Sequence, residues 1–165
     1  MGDRVAVLKD GILQQVDRPR AMYDRPANMF VAGFIGSPAM NLFTLPVGAD
    51  GLPHLGTYAV PVARDAIGRL TTAGSVAVGV RPEDLHVVDS GTGIAATVEL
   101  VEELGSDAFV HASVQQGENP RDAVMLVARV NPKNPPDKGA KVWLAPSDPQ
   151  LVHVFDPGNG ARLSA

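Results

Sequence analysis

The chain has 165 residues, 45% of them hydrophobic, with 17 Gly, 14 Pro, no Cys and a formal net charge of −4. That is enough chain to bury one globular core, and an aromatic content of only 5% among so many turn formers points to short strands rather than long helices. The charge balance excludes the basic field that draws in nucleic-acid backbones, and the missing cysteines exclude disulfides and thiolate metal sites.

The first stretch, "RVAVLKDGILQQV", places apolar residues in alternation and reverses at Asp10-Gly11, a preferred pair for a two-residue turn, so residues 4–16 are expected to form a β-hairpin. In "DRPRAMYDRP" Asp17 offers a cap, Pro19 suits a first helical turn and Pro26 a stop, which predicts a short helix carrying Met22 and Tyr23. The run "NMFVAGFIGSPAMNLF" is too short for a bilayer, which needs roughly 20 apolar residues. Pro26 opens it, Phe30, Val31, Phe34 and Ile35 recur at i, i+1, i+4 and i+5, and Gly36 with Pro38 closes it. The expectation is a second short helix with one apolar face, packed on its own domain or offered to another domain or subunit. A hairpin and two short helices bury too little surface to stand alone, so this segment must pack on something else.

Beyond Met40 come short apolar runs separated by turn residues: "NLFTLPV", "TYAVPV", "SVAVGV", "IAATVELVEEL", "AFVHASV", "AVMLVARV" and "KVWLAPSDPQLVHVF". They predict a small closed or nearly closed antiparallel barrel, with "QQGENPRDA" and "NPKNPPDKG" as loops at one barrel end.

The chemistry-bearing patterns are mostly missing. There is no Gly-x-x-x-x-Gly-Lys phosphate loop, no Gly-x-Gly-x-x-Gly opening a helix and no Gly-x-Ser-x-Gly elbow, so no catalytic, cofactor-binding or metal residue is assigned. His54, His86, His111 and His153 occur singly and are expected on strand surfaces or in loops. A strict strand period puts Glu99 and Glu103 on one face and Glu102 on the other, a solvated strand end rather than an acid/base pair. One polar element stands out in "VGVRPEDLHVV", where Pro82 holds Arg81 extended at a strand end, its guanidinium fork suited to a carboxylate or a cluster of backbone carbonyls.

Residues 1–43, above all "YDRPANMFVAGFIGSPAMN", together with "VGVRPEDL" and "VELVEELGSDAFVHASV", resemble the ATP-binding subunits of bacterial sugar-type ABC importers. The resemblance implies a mainly β fold: an OB-like (TOBE) antiparallel barrel over residues 44–165, preceded over 1–43 by the end of the nucleotide-binding domain and an interdomain helix. It implies a C-terminal regulatory and dimerisation part that lacks the ATP site, with no cofactor of its own and no catalysis, while ATP and Mg belong to the parent protein. Phe30, Val31, Phe34, Ile35, Gly36, Ser37, Pro38, Met40 and Asn41 become candidates for an interdomain or dimer interface. Gly79, Arg81, Pro82, Glu83 and Asp84 match the family's barrel motif, with a shape-fixing role. The implied partners are a second copy, the ATPase domain in cis, transmembrane permease subunits and a cytosolic regulator, with no nucleic acid. The implied location is cytoplasmic, on the inner face of the membrane; the absence of any leader-like N-terminal pattern agrees. The proline-rich loop near residue 135 has no counterpart in the family pattern. Two other readings stay open at this point: an oxyanion (molybdate-type) module with an anion nest at Gly105-Ser106-Asp107, and a single-strand nucleic-acid binder, which net negative charge with two Tyr and one Trp disfavours.

Overall fold

The computed structural model describes residues 2–71 and 73–165; Met1 and Thr72 lie outside the described residues. Strands β1 (Val5–Lys9) and β2 (Ile12–Asp17) form the expected hairpin, and Asp10 and Gly11 both take positive φ, as the two-residue turn requires. Helix α1 (Pro19–Asp24) starts with Pro19 in its first turn. Asp17 does not cap it: Arg18 is the N-cap, and the Asp17 carboxylate instead accepts from the Arg18 amide at 2.8 Å. Helix α2 (Met29–Phe34) is capped by Asn28, whose Oδ1 accepts from the Val31 amide at 3.0 Å, so the helix opens there and not at Pro26.

The remaining elements are β3 (Asn41–Pro46), the two-residue strands β4 (His54–Leu55) and β5 (Tyr58–Ala59), a helical turn α3 (Arg64–Ile67), and β6 (Ser75–Val80). Then follow β7 (Leu85–Val88), β8 (Ile94–Glu103), β9 (Ala108–Gln115), β10 (Ala123–Val130), β11 (Lys141–Pro146) and β12 (His153–Phe155). The run "TYAVPV" gives only the short β5 before α3, which strand periodicity did not predict.

Five strands join in the order β10-β9-β8-β11-β7 and three in the order β12-β6-β3. The five-stranded sheet rolls until its outer strands β10 and β7 lie side by side. No ladder pairs them among the described residues, so this is the nearly closed form of the expected barrel. Residues of both sheets share one core, with Leu45, Val76 and Val78 meeting Val98, Val110, Leu126 and Leu144. Strand β6 is buried on both faces: Val76, Val78 and Val80 enter that core, while Ala77 turns to Ala32, Met40 and Phe155. Such double burial is why "SVAVGV" reads as a continuous apolar run.

Two expectations need correction. The loops at 116–122 and 131–140 sit at opposite ends of the sheet, because the first joins β9 to β10 and the second follows the antiparallel return of β10. In β8 the register against β9 shifts between Val98 and Leu100. The extra residue sets both Glu99 and Leu100 outward, and after it Glu102 stands opposite Phe109 and Glu103 opposite Ala108. Glu99 and Glu103 therefore do not share a face as a strict period requires. Glu99 accepts from the Ser113 hydroxyl at 2.7 Å, and Glu102 lies 3.9 Å from the His111 Nε2.

Candidate functional site

The junction between the N-terminal segment and the β core is built around Arg81. Strand β6 delivers this residue to its C-terminal end, Pro82 restricts the residue before it, and Arg81 adopts extended backbone angles of φ −73° and ψ 147°. Its side chain, 2% exposed, points away from the barrel core into the N-terminal segment. Nη1 donates to the Ile35 carbonyl at 2.9 Å and Nη2 to the Tyr23 carbonyl at 2.7 Å. The guanidinium also stacks 3.6 Å from the centroid of the Tyr23 ring. Both acceptors lie at helix C-termini, where carbonyls lack intrahelical donors and carry partial negative charge, so one planar fork satisfies the ends of α1 and α2 together. Burial lowers the Arg81 pKa, and Asp84 and Asp24 oppose that; the residue stays charged. Burial is also the main cause that raises the Asp84 carboxyl above its usual range, with Glu83 adding to it.

Gly36 is the complement of this clamp. Its φ of +113° disfavours any side chain, and an added Cβ would stand 2.9 Å from Arg81 Nη1. The next peptide, Ser37-Pro38, is cis. Gly79, one residue into the barrel motif, is equally confined, with the Met40 sulfur 2.5 Å from where a Cβ would go.

Asn41 performs a second junction. It is 7% exposed, its Oδ1 accepts from the Val127 amide at 2.7 Å, and its Nδ2 donates to the Val127 carbonyl at 2.8 Å and the Val80 carbonyl at 3.0 Å. The side-chain amide thus imitates one rung of a strand ladder and stitches the three-stranded sheet to edge strand β10. The C-terminal tail makes a third: the Arg162 amide donates to Ala27 O, the Met29 amide to Gly160 O, and Asn28 bridges Ala161. Asp156, fully buried, holds the Thr71 amide and hydroxyl at 2.7 and 2.6 Å, and these hydrogen bonds pull its carboxyl below the ordinary carboxylate range.

The interface candidates separate by burial. Val31, Met40 and Asn41 are packed inside the chain; Phe30 and Ile35 are partly buried beside Val7, Met22 and Val31; Phe34 is 65% exposed and stacks on Phe30. Glu83 and Pro38 line a shallow cleft with Arg129, Asp107 and Phe109. Of the four histidines, His153 departs from the surface or loop expectation: it is 7% exposed, stacked on Phe155, and its Nδ1 lies 2.8 Å from Arg162 Nη1. Burial first, then the nearby positive charges of Arg162 and Arg81, push its pKa down to about 4. Only the apolar flanks of "LVHVF" hinted at this burial, and no local signal marked Arg162 or Tyr23 as partners, because their contacts join separate elements, 9 residues apart for Arg162 and His153 and 58 for Tyr23 and Arg81. The Gly105-Ser106-Asp107 turn does not offer a bare anion nest, since the Asp107 carboxylate stands there in a 2.7 Å ion pair with Arg129. Among the described residues no group of three or more His, Cys, Asp or Glu could hold a metal ion, and no helix is long and apolar enough to cross a membrane.

Residues 36–85 match the MalK OB fold domain and residues 78–155 the TOBE domain. The chain is 48% identical to the diacetylchitobiose uptake system ATP-binding protein MsiK of Streptomyces coelicolor, over 99% of this chain and 47% of that protein. It is 37% identical to the trehalose/maltose import ATP-binding protein MalK of Thermococcus litoralis, over 99% of the chain and 45% of the relative. A third relative is the sn-glycerol-3-phosphate import ATP-binding protein UgpC of Paracoccus denitrificans, at 37% identity with 99% and 43% covered. The chain spans a little under half the length of these relatives. Their names concern sugars and glycerol phosphate, which goes against the molybdate-type reading. With both domain matches falling on the clamped β core and the likeness running through the N-terminal segment as well, the chain belongs to the family of TOBE and MalK-type OB domains carried by the ATP-binding subunits of sugar-type ABC importers.

Proposed function

We propose that this chain is the C-terminal regulatory part of an importer's ATP-binding subunit, with residues 1–43 closing the ATPase domain and 44–165 forming the regulatory domain. The Arg81 clamp carries the reading. By tying the carbonyl ends of α1 and α2 to the end of β6, it makes the N-terminal segment and the β core one piece. A displacement of whatever packs on the hairpin is then passed to the barrel rather than absorbed at the joint. The hairpin offers the surface for it: Leu8, Ile12 and Leu13 are each more than half exposed.

In this reading ATP and Mg bind in the ATPase domain, and the chain contributes no catalytic step. Its partners are a second copy across a two-fold axis, the permease subunits on the cytoplasmic face of the membrane, and a cytosolic regulator. Phe34, with Ser37 and Pro38 at the surface of the same segment, belongs to the interface with the ATPase domain or the second copy. The solute is a sugar or a related polyol phosphate.

The test is a chimera in which this chain replaces the matching region of the Streptomyces coelicolor MsiK, in cells lacking the native protein. Diacetylchitobiose uptake is expected to return. A chimera that folds and hydrolyses ATP yet gives no uptake would refute the reading. Light scattering of the chimera across concentrations checks the pair separately, a mass of two copies being the expected result.

A further inference from the structure

A cavity of about 240 Å³ lies between the end of α1, strand β12 and the C-terminal tail, lined by Arg20, Arg25, Arg162, His153 and the carboxylates Asp24 and Asp84. The hydrogen bonds around it do not close. Arg162 donates through Nη1 to His153 Nδ1 at 2.8 Å and through Nη2 to Ala165 O at 2.7 Å, while its buried Nε has no partner among the described residues. Because His153 Nδ1 is the acceptor of that bond, the neutral ring carries its proton on Nε2, and this donor has no protein acceptor among the described residues. His153 itself is more than nine-tenths buried. Arg25 forms no side-chain hydrogen bond or ion pair among the described residues, and its charge acts on Arg162.

The two acids do not supply what is missing. Asp24 is held by Arg20 Nε at 2.8 Å, and Asp84 lies in the field of Arg81. What remains is a pair of guanidiniums repelling each other and two donors without acceptors among the described residues, Arg162 Nε sealed from solvent and His153 Nε2 open to it. Unpaired buried donors are uncommon in folded proteins, and charge-assisted acceptors relieve them best.

We propose that this cavity binds a single phosphate ion, with Arg25, Arg162 Nε and His153 Nε2 as its donors. A tetrahedral oxyanion presents a separate oxygen to each of three segments that approach from different directions, and its charge removes the Arg25–Arg162 repulsion. Bound there, phosphate ties α1 to β12 and so reinforces the junction that Arg81 makes from the other side. This inference does not depend on the import reading.

The experiment titrates the chain with sodium phosphate at pH 7.5, against sodium chloride at matched ionic strength, by calorimetry and by nitrogen NMR of the histidine rings. One-to-one saturable binding that moves the His153 Nε2 signal is expected. Arg25→Gln, a change at a surface residue without side-chain partners among the described residues, is expected to weaken binding at least about tenfold without lowering the melting temperature in chloride, since it also removes the repulsion on Arg162. A response to phosphate no larger than to chloride overturns the proposal. So does binding that leaves His153 unmoved or survives Arg25→Gln at full strength.

Discussion

Arg81 is buried, charged and bonded to two carbonyls, so its removal leaves those part-buried carbonyls without their donors. Each orphaned buried acceptor costs about 1–3 kcal/mol, so Arg81→Met is expected to lower the unfolding free energy by roughly 3–5 kcal/mol in a denaturant titration. Arg81→Lys should recover only part of this, because an ammonium cannot span both carbonyls while stacking on Tyr23. Gly36→Ala attacks the same joint through the backbone, and its φ of +113° together with contact on Nη1 predicts a loss of about 1–3 kcal/mol. His153 gives the junction a pH dependence of definite sign. Its folded pKa near 4 lies below the ordinary value of 6.5, so the unfolded chain takes up a proton that the folded chain refuses. Stability is therefore unaffected by this residue above about pH 6.5 and falls as the pH drops from there toward 4, by up to about 3 kcal/mol. Asp156 acts lower on the scale, since its depressed carboxyl withdraws its stabilisation only as the pH falls through that folded pKa. The melting temperature should decline across pH 6.5 to 4, and His153→Gln should flatten that window alone.

At the scale of elements, Asn41 decides whether the two sheets meet as one. Its three bonds to Val80 and Val127 close the free edge of β10, with which no further strand pairs among the described residues. Asn41→Leu keeps much of the volume but leaves the Val127 amide and carbonyl without partners, so a loss of about 2–4 kcal/mol is expected. Faster hydrogen exchange at the Val127 amide, with the β8–β9 ladder unchanged, would localise the effect to this edge. How far such elements could be read in advance depended on the range of the interaction that fixes them. The hairpin at Asp10-Gly11, the Pro-punctuated helices and the alternation of Ala108, Val110, Ala112 and Val114 are set by neighbours along the chain, and they were legible. The bulge at Glu99 was not, because register is decided by the partner strand and not by the period of β8 itself. Arg162 was opaque for the same reason, and Asn41 stood only among the interface candidates the resemblance implied, since the contacts that fix them come from residues 9 and 86 positions away. Arg81 lay between these cases: Pro82 announced its extended backbone and carbonyl clusters were among its expected targets, but Tyr23 and Ile35 could not be picked out.

Across the whole molecule, cohesion falls from the barrel toward the N-terminus. The barrel core draws on residues from both sheets, whereas the hairpin is joined to the rest through a small cluster of Val7, Met22 and Val31, with Phe30 and Ile35 at its margin. Its outer residues Val5, Leu8, Ile12, Leu13 and Val16 stand 37–67% exposed on a sheet of only two strands. Such a pair is marginal in water without a covering layer, and so its amides should open at low free energy while those of β9 open only with the whole fold. Hydrogen exchange on the isolated chain is expected to show β1 and β2 exchanging orders of magnitude faster than β9. Joined to an ATPase domain in the MsiK chimera, the same two strands should become protected while the barrel amides keep their rates, because only the exposed apolar face gains a cover. Equal protection of the hairpin in both settings would mean that its apolar face is not where the two halves meet, and that force enters the barrel by another route than the Arg81 joint.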